Sequence, residues 1–190
     1  RVLFRSAKAA LERAGVAPRE IGHVAYGHVI NTEPKDMYLS RVAAMGAGIP
    51  EEPPAMNVNR LCGSGAQAVV SALQSIALGD ADFALGAGAE HMSRGPHIMP
   101  DARFGRKMGD VRTLDMMIGA LHDPFGHGHM GVTAENVADE HQIGREAQDA
   151  FALESQERAA RAIAEGRFRE QIVPVEVKVK RDTVAFDTDE

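Results

Sequence analysis

Between Ala55 and Gly88 a short apolar segment (Ala55 to Asn59), a breaker-free helical stretch (Ala66 to Leu78) and a second apolar segment (Phe83 to Gly88) follow one another, with a Gly79-Asp80 turn before the last. Two strands joined by a single helix lie side by side and parallel, and such a crossover is almost always right-handed. This order predicts an α/β fold. The preceding residues agree with it. Ala7 to Ala14 is alanine-rich and helical, with Gly15 placed to close the helix. Ile21 to Ile30 is apolar nearly throughout, as a strand covered on both faces is. Asp36 to Ala47 returns to helical spacing through Met37, Val42 and Met45, and Gly48-Ile49-Pro50 ends it.

The texture changes after residue 91. Residues 91–131 are rich in Met, Gly, His and Pro with weak periodicity, the mark of an inserted, loop-heavy region. Helices are expected at Thr133 to His141 and Arg145 to Glu165, the second stopped by Gly166. Residues 172–186 alternate through Val173, Val175, Val177 and Val179 and predict a two-stranded ribbon turning near Arg181-Asp182. The expected division is a core domain over 1–91 and a loop domain over 92–190.

Composition narrows the function classes. The 190 residues are 44% hydrophobic and 25% charged, with a formal net charge of −6. That balance argues against a nucleic-acid backbone as the main partner. No apolar run approaches the roughly 20 residues of a membrane-spanning helix. A single cysteine excludes an internal disulfide framework. Arg1-Val2-Leu3-Phe4-Arg5-Ser6 lacks an initiator methionine and lacks the apolar stretch of a signal peptide. Both chain ends are expected to be cut edges.

That one cysteine, Cys62, falls in Arg60-Leu61-Cys62-Gly63-Ser64-Gly65, between a strand and a helix. A lone thiol is more often small buried filler than a nucleophile. This setting favours the nucleophile. The helix dipole and free N–H groups at a helix start stabilise a thiolate, and can also hold the oxyanion formed on a thioester carbonyl. Gly63 and Gly65 allow a tight turn, and Ser64 is placed to cap the helix.

Asn59-Arg60-Leu61-Cys62-Gly63-Ser64-Gly65 resembles the nucleophile motif of the thiolases. Gly86-Ala87-Gly88-Ala89-Glu90-His91-Met92-Ser93 resembles the family's GGGAESMS segment, and His129-Met130-Gly131-Val132-Thr133-Ala134-Glu135-Asn136-Val137-Ala138 its HMGxTAENVA segment. The resemblance covers nearly the whole chain after the first six residues. It is nearest to the bacterial acetyl-CoA acetyltransferases and 3-ketoacyl-CoA thiolases, including the β-ketothiolases of polyhydroxyalkanoate synthesis.

The resemblance implies a layered αβαβα thiolase fold, represented by its front half. It implies that Cys62 is acylated in a ping-pong reaction, which condenses two acetyl-CoA to acetoacetyl-CoA or cleaves 3-ketoacyl-CoA. Leu121, His129 and Met130 match positions lining the coenzyme A and acyl pocket, and the Cys62 N–H matches part of an oxyanion hole. Coenzyme A is substrate and product, with no metal or redox cofactor. A cytoplasmic homo-oligomer, a dimer of dimers in the full-length enzyme, is likewise implied. The family's second cysteine, its GHP histidine and its NEAFA asparagine belong to motifs that this sequence does not contain. The chain alone is therefore expected to be a poor and unstable catalyst. Ala66, His91 and Gly126-His127-Gly128 depart from the leucine, serine and HRI usual at the matching places.

Other readings bear on the same residues. A non-catalytic acyl-CoA- or lipid-binding relative, or an inactive fragment, would carry the fold without turnover, though an intact Cys-Gly-Ser-Gly argues against it. A decarboxylating ketoacyl synthase usually sets its cysteine differently and needs two downstream histidines. His122, His127 and His129 with Asp123 match no strong metal-ligand spacing. His23 and His28, at the flanks of a strand core, read as satisfied, partly buried imidazoles. Glu135 and Asn136 read as helix-capping or loop-holding groups, and Arg158, Arg161, Arg167 and Arg169 as a solvated helix face.

Overall fold

The computed structural model describes residues 3–188. Its first helix, α1 (Leu3–Ala14), turns Ala7 and Leu11 inward and leaves Lys8 and Glu12 outside as an i,i+4 ion pair. That spacing is one face of a 3.6-residue period. The helix closes at Gly15, and the Val16 N–H reaches back to the Leu11 carbonyl at 3.1 Å. After a 3-10 turn (Pro18–Glu20) comes β1 (Ile21–Gly27), where Val24, Ala25 and Tyr26 are essentially sealed from solvent.

The expected helix from Asp36 begins later, as α2 (Leu39–Gly46). Pro34–Tyr38 before it is a 3-10 turn, tied back on itself by the Asp36 carboxylate, which accepts the Thr32 and Glu33 N–H groups and the Thr32 hydroxyl. Burial pushes the Asp36 carboxyl up, but these hydrogen bonds, helped by His28, together hold it below its ordinary 3.8. α2 buries Leu39, Ser40, Ala43 and Ala44.

β2 (Ala55–Val58), α3 (Ser64–Ala77) and β3 (Phe83–Gly88) complete the unit expected from the sequence. The sheet order is β2-β1-β3 and both pairings are parallel. Helix α3 thus carries the chain from one sheet edge, past central β1, to the other. Its sheet-facing positions are small: Ser64, Ala68, Ala72 and Ser75. The approach is close enough that a Cβ on Gly86 would lie 2.9 Å from the Val69 Cα. The outer face of α3 is also apolar, with Val69, Val70, Leu73 and Ile76 exposed. Helices α1 and α2 share the hydrophobic core cluster with Ile21, Val24, Tyr26, Ile49 and Leu85, each large aliphatic burial contributing about 1.5–3 kcal/mol.

The loop-rich stretch holds a two-residue ladder, β4 (His97–Ile98) with β5 (Leu114–Asp115), and a short helix, α4 (Met116–Ala120). By contact the chain groups into two compact units, Arg1–Leu121 and His122–Glu190. The second contains the ladder β6 (His122–Asp123) with β7 (Gly128–His129), then α5 (Met130–Glu140), α6 (Arg145–Ala164) and the hairpin β8 (Val175–Val179) with β9 (Asp182–Phe186). The hairpin turns at Lys180-Arg181, with Lys180 at φ +57°, rather than at Arg181-Asp182. No described residue from 122 to 188 is buried. Among the described residues no helix is long and apolar enough to cross a membrane.

Candidate active site

The segment between β2 and α3 is built from bonds to itself. The Asn59 side-chain oxygen accepts the Leu61 N–H at 3.0 Å, an Asx-type turn. Leu61 then adopts the left-handed conformation, φ +47°, which costs an L-residue on the order of 1–2 kcal/mol. The Gly63 and Ser64 N–H groups close on the carbonyls of Arg60 and Leu61 at 3.1 and 2.9 Å. Ser64 Oγ accepts the Arg60 N–H at 2.9 Å and donates to the Leu61 carbonyl at 2.6 Å.

Ser64 is therefore not the helix cap expected of it. It is the first helical residue, buried, with its hydroxyl turned onto the elbow; Gly63 holds the cap position without a side-chain bond. The free helix N–H groups expected to receive an oxyanion are also partly engaged. The Gly63 and Ser64 N–H groups are occupied by the Arg60 and Leu61 carbonyls.

The elbow rests on the end of the sheet. A Cβ on Gly27, the last residue of β1, would lie 2.5 Å from the Ser64 carbonyl carbon and 2.7 Å from the Gly65 nitrogen. Only glycine lets strand and helix backbones meet this closely. β1 was expected to run to Ile30, but it stops where this contact occurs. Beyond it only the His28 N–H still reaches β2, at the Val58 carbonyl 3.1 Å away, and residues 28–30 are otherwise held by the segment after β3. Ala89 N–H donates to the Gly27 carbonyl at 3.0 Å, His28 Nδ1 donates to the Ala89 carbonyl at 2.8 Å, and Glu90 accepts the Val29 and Ile30 N–H groups at 2.9 and 3.1 Å.

Cys62 is exposed and lies on a cavity of about 540 Å³ at the carboxyl ends of the parallel strands, the usual ligand position on such sheets. Leu61, Cys62, Ser64 and Gly65 form one side. Val29 and Ile30, with Ala89, Glu90 and Met92, come from the loops after β1 and β3, and Ala120 and Leu121 from the end of α4. α4 is fixed by Asp115, whose carboxylate caps the Met117 N–H at 2.8 Å. The lining is an apolar bed with one thiol and one carboxylate. It suits an uncharged acyl chain presented to a sulfur nucleophile.

Cys62 and Leu121 are thus brought to one cavity. His129 and Met130 lie in the second unit, at the start of α5. His129 Nδ1 accepts the Gly131 N–H at 3.0 Å and so caps that helix. This cap is why α5 begins at Met130 rather than Thr133, and it leaves Glu135 and Asn136 within the helix instead of capping it. The His122 and His129 rings meet edge to face, centroids 5.2 Å apart. The Asp123 carboxylate accepts the Phe125 and His127 N–H groups at 2.9 Å each. Among the described residues, no three His, Cys, Asp or Glu side chains are grouped to hold a metal ion. Arg158 and Arg167 pair with Glu154 and Glu165 on exposed surface.

The histidines in and just after β1 are less fully satisfied than the sequence suggested. His28 is bonded at Nδ1, but its Nε2 and that of His23 are buried without a partner, as is the Tyr26 hydroxyl. Sequence reasoning also passed over Gly27, Val29, Ile30 and Glu90 as site residues. The available signal was a glycine at a strand end, and a lone carboxylate two residues after the apolar segment Phe83 to Gly88.

Comparison with known proteins places these features. The profile of the thiolase N-terminal domain matches residues 2–190. The beta-ketothiolase BktB of Cupriavidus necator is 59% identical over 181 residues, covering 95% of this chain and 46% of the relative. An acetyl-CoA acetyltransferase of the same organism is 47% identical, with 96% and 47% covered. Human mitochondrial 3-ketoacyl-CoA thiolase superposes with TM-score 0.92 at 38% identity, with 98% of this chain and 47% of that one covered. The Bacillus anthracis acetyl-CoA acetyltransferase gives 0.91 at 36%, with 100% and 48% covered. The chain spans about half the length of the curated relatives it matches.

Proposed function

Because the chain belongs to the thiolase family, whose N-terminal domain it matches from residue 2 to 190, we propose that it is the nucleophile-bearing part of a thiolase acyltransferase acting on acyl-coenzyme A. The observation that carries this reading is the Cys62 thiol, set at a strand-to-helix elbow and opening onto an apolar cavity at the carboxyl edge of a parallel sheet.

The Cys62 thiolate attacks the thioester carbonyl. The carbon–sulfur bond to coenzyme A breaks, coenzyme A leaves as a thiolate that takes up a proton, and the acyl group stays on Cys62. In condensation, a second acetyl-CoA loses a proton from its methyl carbon, and the resulting carbanion displaces Cys62 to give acetoacetyl-CoA. In thiolysis, coenzyme A is the acceptor instead. Coenzyme A serves as substrate and product, and neither metal nor redox cofactor takes part. Leu121, within the cavity, and His129 and Met130, by resemblance, contact the acyl-coenzyme A. The base, histidine and asparagine of the resemblance have no counterpart in this sequence, and no residue here is assigned their roles.

The remaining parts of the reading follow from the same resemblance. They are a division into core (1–91) and loop domain (92–190), a homo-oligomer built as a dimer of dimers, a cytoplasmic location, and use in fatty-acid or polyhydroxyalkanoate metabolism.

Mass spectrometry of the full-length protein after brief exposure to acetyl-CoA tests the proposal. The expected result is a single acetyl group on the peptide carrying Cys62, lost in Cys62→Ala together with all acetoacetyl-CoA thiolysis. Acetyl found on another residue, or thiolysis surviving in Cys62→Ala, overturns it. Acyl-CoA binding with no acylation at Cys62 supports a non-catalytic binding protein in its place.

A further inference from the structure

The wall of the cavity facing the elbow has an unusual support. Val29 and Ile30 lie just past the end of β1, outside the ladder, where their N–H groups have no strand to bond. One carboxylate supplies both acceptors: Glu90 Oε2 takes the Val29 N–H and Oε1 the Ile30 N–H. His28 braces the arrangement, with Nδ1 on the Ala89 carbonyl and 3.6 Å from Glu90 Oε1. Glu90 itself lines the cavity, with its side chain 30% accessible. The loop after β3 thereby fixes the loop after β1. Such charge-assisted bonds to backbone N–H groups are among the stronger ones.

We propose that Glu90 is a positioning residue for the acyl substrate: its bidentate hold on Val29 and Ile30 sets the apolar wall against which the acyl chain lies when Cys62 attacks the thioester. This rests on the acyl-transfer reading above. Glu90 touches no reacting atom in this role. A glutamine at 90 keeps the size but offers one oxygen and one amide donor to two N–H groups, so one contact becomes repulsive. The Val29–Ile30 wall then shifts while the elbow, whose bonds lie within residues 59–67, stays as it is.

The test compares full-length wild type, Glu90→Gln, and Asp36→Asn as a control. Asp36 makes a similar carboxylate clamp, on Thr32 and Glu33, and is not part of the cavity lining. Four quantities are read: KM and kcat for acetoacetyl-CoA thiolysis, the alkylation rate of Cys62 by iodoacetamide, and Tm. Glu90→Gln is expected to raise KM about tenfold, the loss of one charged hydrogen bond. The alkylation rate should stay within about twofold, because the small reagent needs no acyl wall. Asp36→Asn is expected to lower Tm and leave KM as in wild type. Trimming the wall directly, in Val29→Ala with Ile30→Ala, should raise KM in the same direction, which keeps the proposal testable should Glu90→Gln fold poorly. An unchanged KM in Glu90→Gln or in the wall variant overturns the proposal. So does an equal KM rise in Asp36→Asn, since that reports general loosening. Wild type that alkylates at Cys62 but is never acylated by acyl-CoA sinks the underlying reading instead.

Discussion

Residues 3–121 and residues 122–188 are both well furnished with helices and strands, yet they are organised by different forces. The first unit holds every buried hydrophobic residue, from Ala7 to Leu85. The second has none, and even the long α6 shows Phe151 and Leu153 to solvent. Its elements are satisfied locally, by i→i−4 bonds, by ion pairs such as Arg145–Asp149 at 2.8 Å, and by a hairpin whose partners are near in sequence. The first unit depends on distant partners, as where Gly27 meets Ser64 or Val29 meets Glu90. Regular secondary structure is therefore no measure of a self-sufficient core. Apolar surface left open in this way is normally met by another surface.

Three substitutions sharpen the contrast, measured on the full-length protein. The largest effect is expected from Gly27→Ala. Its Cβ would overlap backbone that cannot swing away, and urea denaturation should show a loss of about 3 kcal/mol or more, with Cys62 acylation falling alongside. A loss below about 1 kcal/mol would mean that the elbow is not held against the strand end.

An intermediate effect belongs to Tyr26. Burial pushes its phenol up to about 12 from 10.0. Deprotonation is easier in the unfolded chain, so this stabilisation is complete below pH 10 and is lost as pH rises towards 12. Tyr26→Phe should remove that part of the alkaline limb. At neutral pH it should leave stability unchanged or raise it by up to about 1 kcal/mol, because the hydroxyl has no partner. Marked destabilisation at neutral pH would reveal a bond to that hydroxyl. The smallest effect is predicted for Glu154→Ala on α6, an exposed i,i+4 pair with Arg158, at about 0.3–0.5 kcal/mol. A larger cost would show that α6 is stabilised by its ion pairs more than exposed helices usually are.

The same contrast explains what the sequence disclosed. The parallel sheet was legible because strand, helix and strand from Ala55 to Gly88 are separate periodic blocks, and Phe83–Gly88 falls as expected. α6 and the hairpin were legible because their bonds are local. The errors fall where distant groups decide the outcome. β1 ends at Gly27 because a helix start lies against it, and residues 28–30 are shaped by a carboxylate sixty residues onward in the chain, |i−j| 60 and 61. Ser64 looked like a cap because residue type suggests one, whereas its hydroxyl is claimed by Arg60 and Leu61. At the site, Cys62 was singled out by its motif and Leu121 by resemblance, and both line the cavity. The wall of Val29, Ile30 and Glu90 was not, since no periodicity marks a pocket assembled from loop ends.

The elbow's bonds close within a few residues, from Asn59 to Gln67. In evolutionary and engineering terms this makes the segment that carries Cys62 a module. Sequence drift in the surrounding loops can enlarge, shrink or reshape the chamber without re-aiming the sulfur, so under the proposed function one thiol can be handed successively to different acyl chains. A designer seeking new chain-length selectivity has the loops after β1 and β3 and the end of α4 to vary, and good reason to leave residues 59–64 and Gly27 untouched.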